Sequence, residues 1–361
     1  MIQVRRLSLL TTLLAAVAPA PSSADAGVAQ GGPAARTAVL LFSNFSGTSR
    51  APATVMPLVY RELEARGVPH LSHITLRPIL RQHRIRTVRG ITGPEANLLR
   101  EGSQVELLLL GSCDVFLDAE NPEVAISARL VDTETMRVVS AQSVAATGED
   151  DAGLFSVGRI TSLDELAGRV VARLVDDLEL SFQRPQRDPS EAPLPTVAIV
   201  PLDNTSKARG AGEVVSSQLL SELLTRGFEV IEPGRVNDLF LRNGRVLRGG
   251  VDREMLARMS EAFGMDFVVT GEVETFRVGR GELETAAPSF AFGARLIAAD
   301  GTLRMSHDEA RDGRDSEHLF GLGRRRSLGE LSRDSLKRLV RRIVEETEES
   351  VAIARRTHGS P

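Results

Sequence analysis

Val39-Leu40-Leu41-Phe42-Ser43-Asn44-Phe45-Ser46 and Ile199-Val200-Pro201-Leu202-Asp203-Asn204-Thr205-Ser206 are two versions of one phrase: an apolar run, then a short polar loop holding an asparagine. The match runs on at a fixed offset through Glu62-Leu63 and Glu222-Leu223, Arg66-Gly67 and Arg226-Gly227, Gly90 and Gly250, and Gly111 and Gly271. After a small insertion it resumes at Ala128-Arg129-Leu130 and Ala294-Arg295-Leu296. It then continues to Ser162-Leu163 with Ser327-Leu328, and Leu174-Val175 with Leu339-Val340. A register kept over such a length marks two copies of one domain, and what the copies share is first of all what the fold requires.

Each copy opens with a brief, β-branched apolar run (Thr37 to Phe42; Thr196 to Leu202) that reads as a buried strand. An amphipathic helix follows; in the second copy Val215, Leu219 and Leu223 share one face. Both helices stop at Arg-Gly, a charge in the last turn and a glycine free to turn left-handed. Pro57 predicts that the first of them starts late or kinks. Phe228 to Ile231 reads as a second strand, and helices follow near Arg235 to Arg242 and from Asp252. Thr92 and Glu95 stand at capping-box spacing. Leu107 to Leu110 and Phe267 to Thr270 read as central strands ending at Gly111 and Gly271, glycines that relieve crowding there. Hairpins follow, Glu123 to Asp132 with Arg137 to Ala146 and Phe290 to Ala298 with Thr302 to Ser306, the second around the turn signal Asp300-Gly301. A last helix opens on Ser-x-x-Glu in both copies (Ser162 and Glu165; Ser327 and Glu330). The expected fold is α/β, with two tandem domains, each a mixed sheet packed against helices in the order β-α-β-α-α-β-β-β-α.

Residues 1–26 read as a secretory signal: Arg5-Arg6, an apolar stretch from Leu7 to Ala18, and the small-x-small site Ala24-Asp25-Ala26. That stretch falls short of the roughly 20 residues that cross a bilayer. Residues 27–36 read as a flexible lead-in, 37–182 as the first copy and 183–194 as a polar, proline-punctuated linker. The second copy spans 195–349, and 350–361 reads as a frayed or disordered tail. The mature chain is expected to be soluble, not membrane-spanning, and periplasmic or secreted. Cys113 is the one cysteine of 361 residues, so neither an internal disulfide nor a lipid-bearing cysteine after the signal is expected. It follows an apolar run, where a buried, inert thiol is usual. A net charge of −4, with no Trp and a single Tyr, argues against nucleic acid as a partner.

An apolar strand ending in Pro201-Leu202-Asp203-Asn204-Thr205-Ser206, a helix ending Arg226-Gly227, then Phe228-Glu229-Val230-Ile231-Glu232 resembles the curli-assembly CsgG-like family and the related TolB amino-terminal domain. Met265 to Gly271 and Ala128 to Thr135 continue the likeness, which covers most of 195–347 and, more faintly, 37–180. The resemblance implies a periplasmic module without catalytic signature that works through protein contacts. Its members include an export pore, lipoproteins that activate penicillin-binding proteins, and flagellum-associated proteins. The pore is not expected here, because Phe116 to Glu123 and Thr275 to Ser289 are too short, charged or glycine-rich to serve as membrane hairpins of roughly 9 to 11 residues per strand.

Candidate chemical groups are few. Asn44 and Asn204 follow the first strand, where open α/β sheets bind ligands, but asparagine there also closes loops, and that structural reading is preferred. Gly111 and Gly271 are read as structural. Arg129 and Arg295 sit alike in a hairpin strand, opposite its apolar face; they line an interface or they face solvent. Arg209 to Glu213 lacks the ending of a phosphate loop and reads as a flexible approach to a helix. Gly321-Leu322-Gly323 lacks the spacing of a dinucleotide site. His70, His73 and His83 have no counterparts in the second copy and read as loop or surface histidines, not metal ligands. Arg324-Arg325-Arg326 reads as a solvated loop, and Asp176-Asp177 and Glu345-Glu346 as exposed helix ends. No cofactor, metal or catalytic residue is expected. The function expected is that of a non-catalytic periplasmic scaffold or adaptor binding envelope proteins, with a homo-oligomer allowed. The alternative is a small-molecule or glycan binding protein with its site between the repeats.

Overall fold

The computed structural model describes residues 35–87, 90–150, 158–178, 181–182, 195–246, 250–279, 287–315 and 325–358, the last eleven as backbone only. They belong to one compact unit, Pro33–Pro361. The signal segment, the linker and Gly321-Leu322-Gly323 lie outside the described residues.

The first half runs β1 (Thr37–Val39), β2 (Ser43–Asn44), α1 (Arg50–Ala65), β3 (His70–Leu71), α2 (His73–Gln82), α3 (Gly93–Ser103), β4 (Leu107–Leu117), β5 (Glu123–Asp132), β6 (Val138–Thr147) and α4 (Leu163–Leu178). The second repeats it: β7 (Thr196–Ile199), β8 (Asp203–Asn204), α5 (Ala211–Thr225), β9 (Glu229–Val230), α6 (Pro233–Arg242), α7 (Arg253–Phe263), β10 (Phe267–Arg277), β11 (Ser289–Ala298), β12 (Leu303–Asp312) and α8 (Leu328–His358). Each half builds a mixed six-stranded sheet, β3-β1-β4-β5-β6 and β9-β7-β10-β11-β12, with β2 and β8 set on β4 and β10. The small strands pair parallel and the two long hairpin strands antiparallel. The fold is the expected α/β repeat, with one extra two-residue strand in each half.

Local signals act as their chemistry demands. Thr92 and Glu95 form both halves of a capping box on α3. Gly67 and Gly227 take left-handed φ of 66° and 86° where α1 and α5 stop. Asp300 accepts from Thr302 N at 2.8 Å in the β11–β12 turn.

Four expectations are corrected. β4 and β10 do not end at Gly111 and Gly271; they continue to Leu117 and Arg277. The glycines are needed mid-strand, because a Cβ would lie 2.5 Å from the Phe42 ring at Gly111 and 2.0 Å from the Gly293 carbonyl at Gly271. α1 does not start late: it begins at Arg50 and carries Pro57 inside it on its exposed side, where water can satisfy the freed carbonyl. The tail after Ser350 is helical to His358, since no glycine or proline interrupts the chain before Gly359. Arg209 to Glu213 is no flexible approach: Gly212 packs onto the chain, its Cβ position only 2.0 Å from the Leu202 carbonyl.

The first sheet has helices on both faces. On one, Val55, Val59 and Leu63 of α1 and Val170 and Leu174 of α4 pack against Val39, Leu109 and Ile126. On the other, α2 and α3 cover the parallel end, and α5 and the start of α8, from the second half, cover the hairpin end. Ser221 of α5 donates to the Ala141 carbonyl at 3.0 Å, and Gly329 of α8 lies against Ala125 and Ala145. The opposite side of α5, with Leu219 and Leu223, packs on its own sheet among Val269 and Leu296. α5 is thus buried all round, Val214, Gln218 and Ser221 as well as the apolar stripe.

Among the described residues, no helix of the first half covers the matching face of the second sheet. α6 and α7 close its parallel end over Ala198, Val200 and Val268. Across β10–β12, Glu272, Glu274, Arg295, Ser306, Asp308 and Ala310 are exposed.

Candidate functional site

The seam between the halves gathers the charged and polar groups of the interior. Arg129, on β5, reaches across it to Glu232, the residue that caps α6. The pair is bidentate, Nε to Oε2 and Nη2 to Oε1, both at 2.8 Å. Glu232 is fully buried and the Arg129 side chain is 14 % exposed. Glu232 also accepts from Ile91 N at 3.2 Å and Gly234 N at 3.3 Å, so its lone pairs are well used. This crossing is possible because Gly90 and Gly234 meet backbone to backbone: a Cβ on Gly234 would lie 2.2 Å from Ile91 N.

A second carboxylate ties the seam at its other end. Glu123 opens β5 and caps the start of α8, accepting from Ser327 Oγ at 2.9 Å and Gly329 N at 3.2 Å. Burial pushes its carboxyl up to about 7, against the pull of those donors. Ser327 in turn accepts from Glu330 N at 3.1 Å, so the hydroxyl side of the expected capping box is present and Glu123 caps alongside it. Arg326, expected to be solvated, pairs with Glu149 of the first half, and Arg325 pairs with Asp334 at 2.7 Å. Both close the approach to α8.

Between these ties lies a cavity of about 170 Å³. Leu40, Leu110, Leu202 and Leu220 supply apolar wall; Arg129, Ser112, Ser127, Asp203, Glu213 and Asn237 supply polar wall. Behind it Asp114 is buried and accepts from Ser112 Oγ and Ser127 Oγ, both at 2.5 Å. Burial raises Asp114 to about 7 in spite of the two hydroxyls.

The positions singled out in the sequence divide. Arg129 lines the seam while its counterpart Arg295 is exposed on the open sheet, so the two alternatives hold for one arginine each. Asn44 donates to the Thr48 carbonyl at 2.7 Å and accepts from Ser46; Asn204 donates to the Ala208 carbonyl at 2.6 Å and accepts from Ser206. Each closes its own loop, and Asn204 also borders the cavity. His70 stacks on Tyr60, and the Tyr60 hydroxyl lies 2.5 Å from Nδ1 of His73, whose pKa burial and then Arg77 lower. Cys113 is buried, its thiol pushed upward mainly by burial. No three potential metal ligands gather among the described residues, nor is any described helix long and apolar enough to cross a membrane. Glu232, Glu123 and Asp114 were not singled out in the sequence.

No family model matches the chain, and no curated protein matches it. Solved structures do show likeness. The PelC dodecamer from Paraburkholderia phytofirmans is 17% identical over 43% of this chain and 95% of its own, with a TM-score of 0.29. Lipoprotein GNA1162 from Neisseria meningitidis is 18% identical over 40% and 95%, with a TM-score of 0.28. The LpoB C-terminal domain from Salmonella enterica is 12% identical over 34% and 86%, with a TM-score of 0.24. None of these is a CsgG or TolB protein.

Proposed function

We propose that this protein is a non-catalytic adaptor of the cell envelope, exported on its amino-terminal signal, which receives a helical surface of a partner protein on the open face of its second sheet. The observation that carries this reading is one face used twice. Over β4–β6 it takes the small-residue side of two helices, where Ser221 and Gly329 let α5 and α8 approach closely. Over β10–β12 the corresponding positions stay small at Ala291, Gly293, Ser306 and Ala310, and the exposed charges of these strands are of both signs, Glu272, Glu274 and Asp308 with Arg277, Arg295 and Arg304. Such a face suits helices that carry small residues and charges of both signs. A non-catalytic role is supported by the buried carboxylates, each of which is engaged by donors of the protein itself.

The test is recovery of partners from envelope extracts with the wild type, Ala310→Arg and the double variant Glu272→Lys/Glu274→Lys. All three sites are exposed, so the fold should persist. The reading expects a partner with a helical contact surface that is lost from both variants; a partner list identical for all three proteins overturns it.

A further inference from the structure

The seam cavity raises a separate question of what it could hold. Its volume of about 170 Å³ is close to that of an engineered cavity of about 150 Å³ that takes a benzene ring. The wall is apolar at Leu40, Leu110, Leu202, Leu220 and Phe45. Three charged residues are part of the wall. Arg129 spends Nε and Nη2 on Glu232, which leaves Nη1 without an acceptor among the described residues. Because Glu232 already matches the guanidinium charge, that free edge suits a neutral oxygen better than a second anion.

Asp203 and Glu213 are half-buried in the same wall, and neither carboxylate has a hydrogen-bond donor or cation of the protein among the described residues. They are neighbours by construction: the first turn of α5 is seated on the backbone before β8 through Gly212, whose Cβ position is 2.0 Å from the Leu202 carbonyl and 3.6 Å from the Asp203 carbonyl carbon. Ser216 Oγ, one turn on, accepts from Leu202 N at 3.0 Å and fixes the same contact. Interior polar groups ordinarily find partners. Two acidic residues and an arginine lining one partly open, partly apolar space supply complementary chemistry.

We propose that this cavity binds a small organic ammonium compound that also carries a neutral hydroxyl or carbonyl acceptor, on a body no larger than one ring. The ammonium lies between Asp203 and Glu213, the acceptor meets Arg129, and the ring lies against the leucines. This site does not depend on the adaptor reading.

The test is calorimetric titration of the full chain at low salt with three probes of one shape: trans-4-aminocyclohexanol, cyclohexane-1,4-diol and 4-hydroxycyclohexanecarboxylate. The amine is expected to bind roughly tenfold or more tighter than the diol, and the carboxylate more weakly than either. Glu213→Gln and Asp203→Asn should each weaken the amine about tenfold or more, with far-UV circular dichroism and the unfolding midpoint showing that both fold. Arg295→Ala, at the matched position outside the cavity, should change nothing. Failure of the amine to bind at millimolar concentration, equal binding of amine and diol, or full affinity in both folded carboxylate variants overturns the site.

Discussion

Arg129 and Glu232 form a bidentate ion pair across the seam, with both contacts at 2.8 Å and the carboxylate wholly buried. Removal of one partner strands the other in the interior. Arg129→Met or Glu232→Gln should therefore lower unfolding free energy by about 3–5 kcal/mol. The double variant Arg129→Met/Glu232→Met should lose much less than the two losses added. Arg295→Met, at the same place in the other copy, should stay within about 0.5 kcal/mol of wild type because its side chain is exposed. Denaturant midpoints measure all four; equal losses at Arg129 and Arg295 would contradict the seam as described.

Stability should decline with rising pH across neutrality. Burial holds the carboxyls of Glu123 and Asp114 at about 7, above their ordinary values of 4.5 and 3.8. Between those limits the folded chain binds more protons than the unfolded one. The stabilisation is thus complete below the ordinary values and is lost as pH rises through the folded ones. Urea midpoints taken from about pH 5 to about pH 8 should fall, and Glu123→Gln and Asp114→Asn should each flatten the slope. A double variant with the wild-type slope would clear both acids of the effect.

The backbone crossing at Gly234 admits no side chain. Its added Cβ would sit 2.2 Å from Ile91 N and 2.3 Å from the Ile91 carbonyl oxygen. Gly234→Ala should destabilise by about 1–3 kcal/mol or more. Gly168→Ala, on α4 with open space at the same atom, should be neutral or slightly stabilising. Thermal unfolding of the two variants side by side decides the point.

Gly111 is held by the ring of Phe42, three of whose atoms would lie within 2.7 Å of a new Cβ. Gly111→Ala should cost about 1–3 kcal/mol. Adding Phe42→Leu should restore part of that loss, although Phe42→Leu alone is destabilising. Additive losses would mean that the ring is not the obstacle.

Much of the fold is visible in the chain because its cues are local. Thr92 with Glu95, Asp300-Gly301 and the Arg-Gly helix ends each need only near neighbours to act. The layering is not local. Arg129 and Arg295 sit in almost the same sequence, yet one is buried because helices from the other copy lie over it. The cue was in the differences between copies. Ser221 stands where the first copy has Arg61, Gly329 where it has Asp164, and Glu232 where it has Ser72. The small or capping residues fall where the seam forms, and the bulky charged ones on the outward helices. α5 itself carried a sign: Val214 and Leu220 lie off the stripe of Val215, Leu219 and Leu223, which suits a helix with no wet side. Asp114 gave no cue, because only the folded sheet brings Ser112 and Ser127 to it.

α5 serves two sheets at once, and this makes the duplication irreversible in a physical sense. An ancestor with one copy could have lived alone or paired with a sibling. In the present chain, cleavage between the copies would leave the carboxy-terminal piece with both of its helices seated at home. The amino-terminal piece would lose a roof and expose Ala125, Ala141 and Ala145 to water. The carboxy-terminal piece would in turn strand Glu232 without Arg129 and bare the outer side of α5, so mutations that loosen α5 should be felt in both halves.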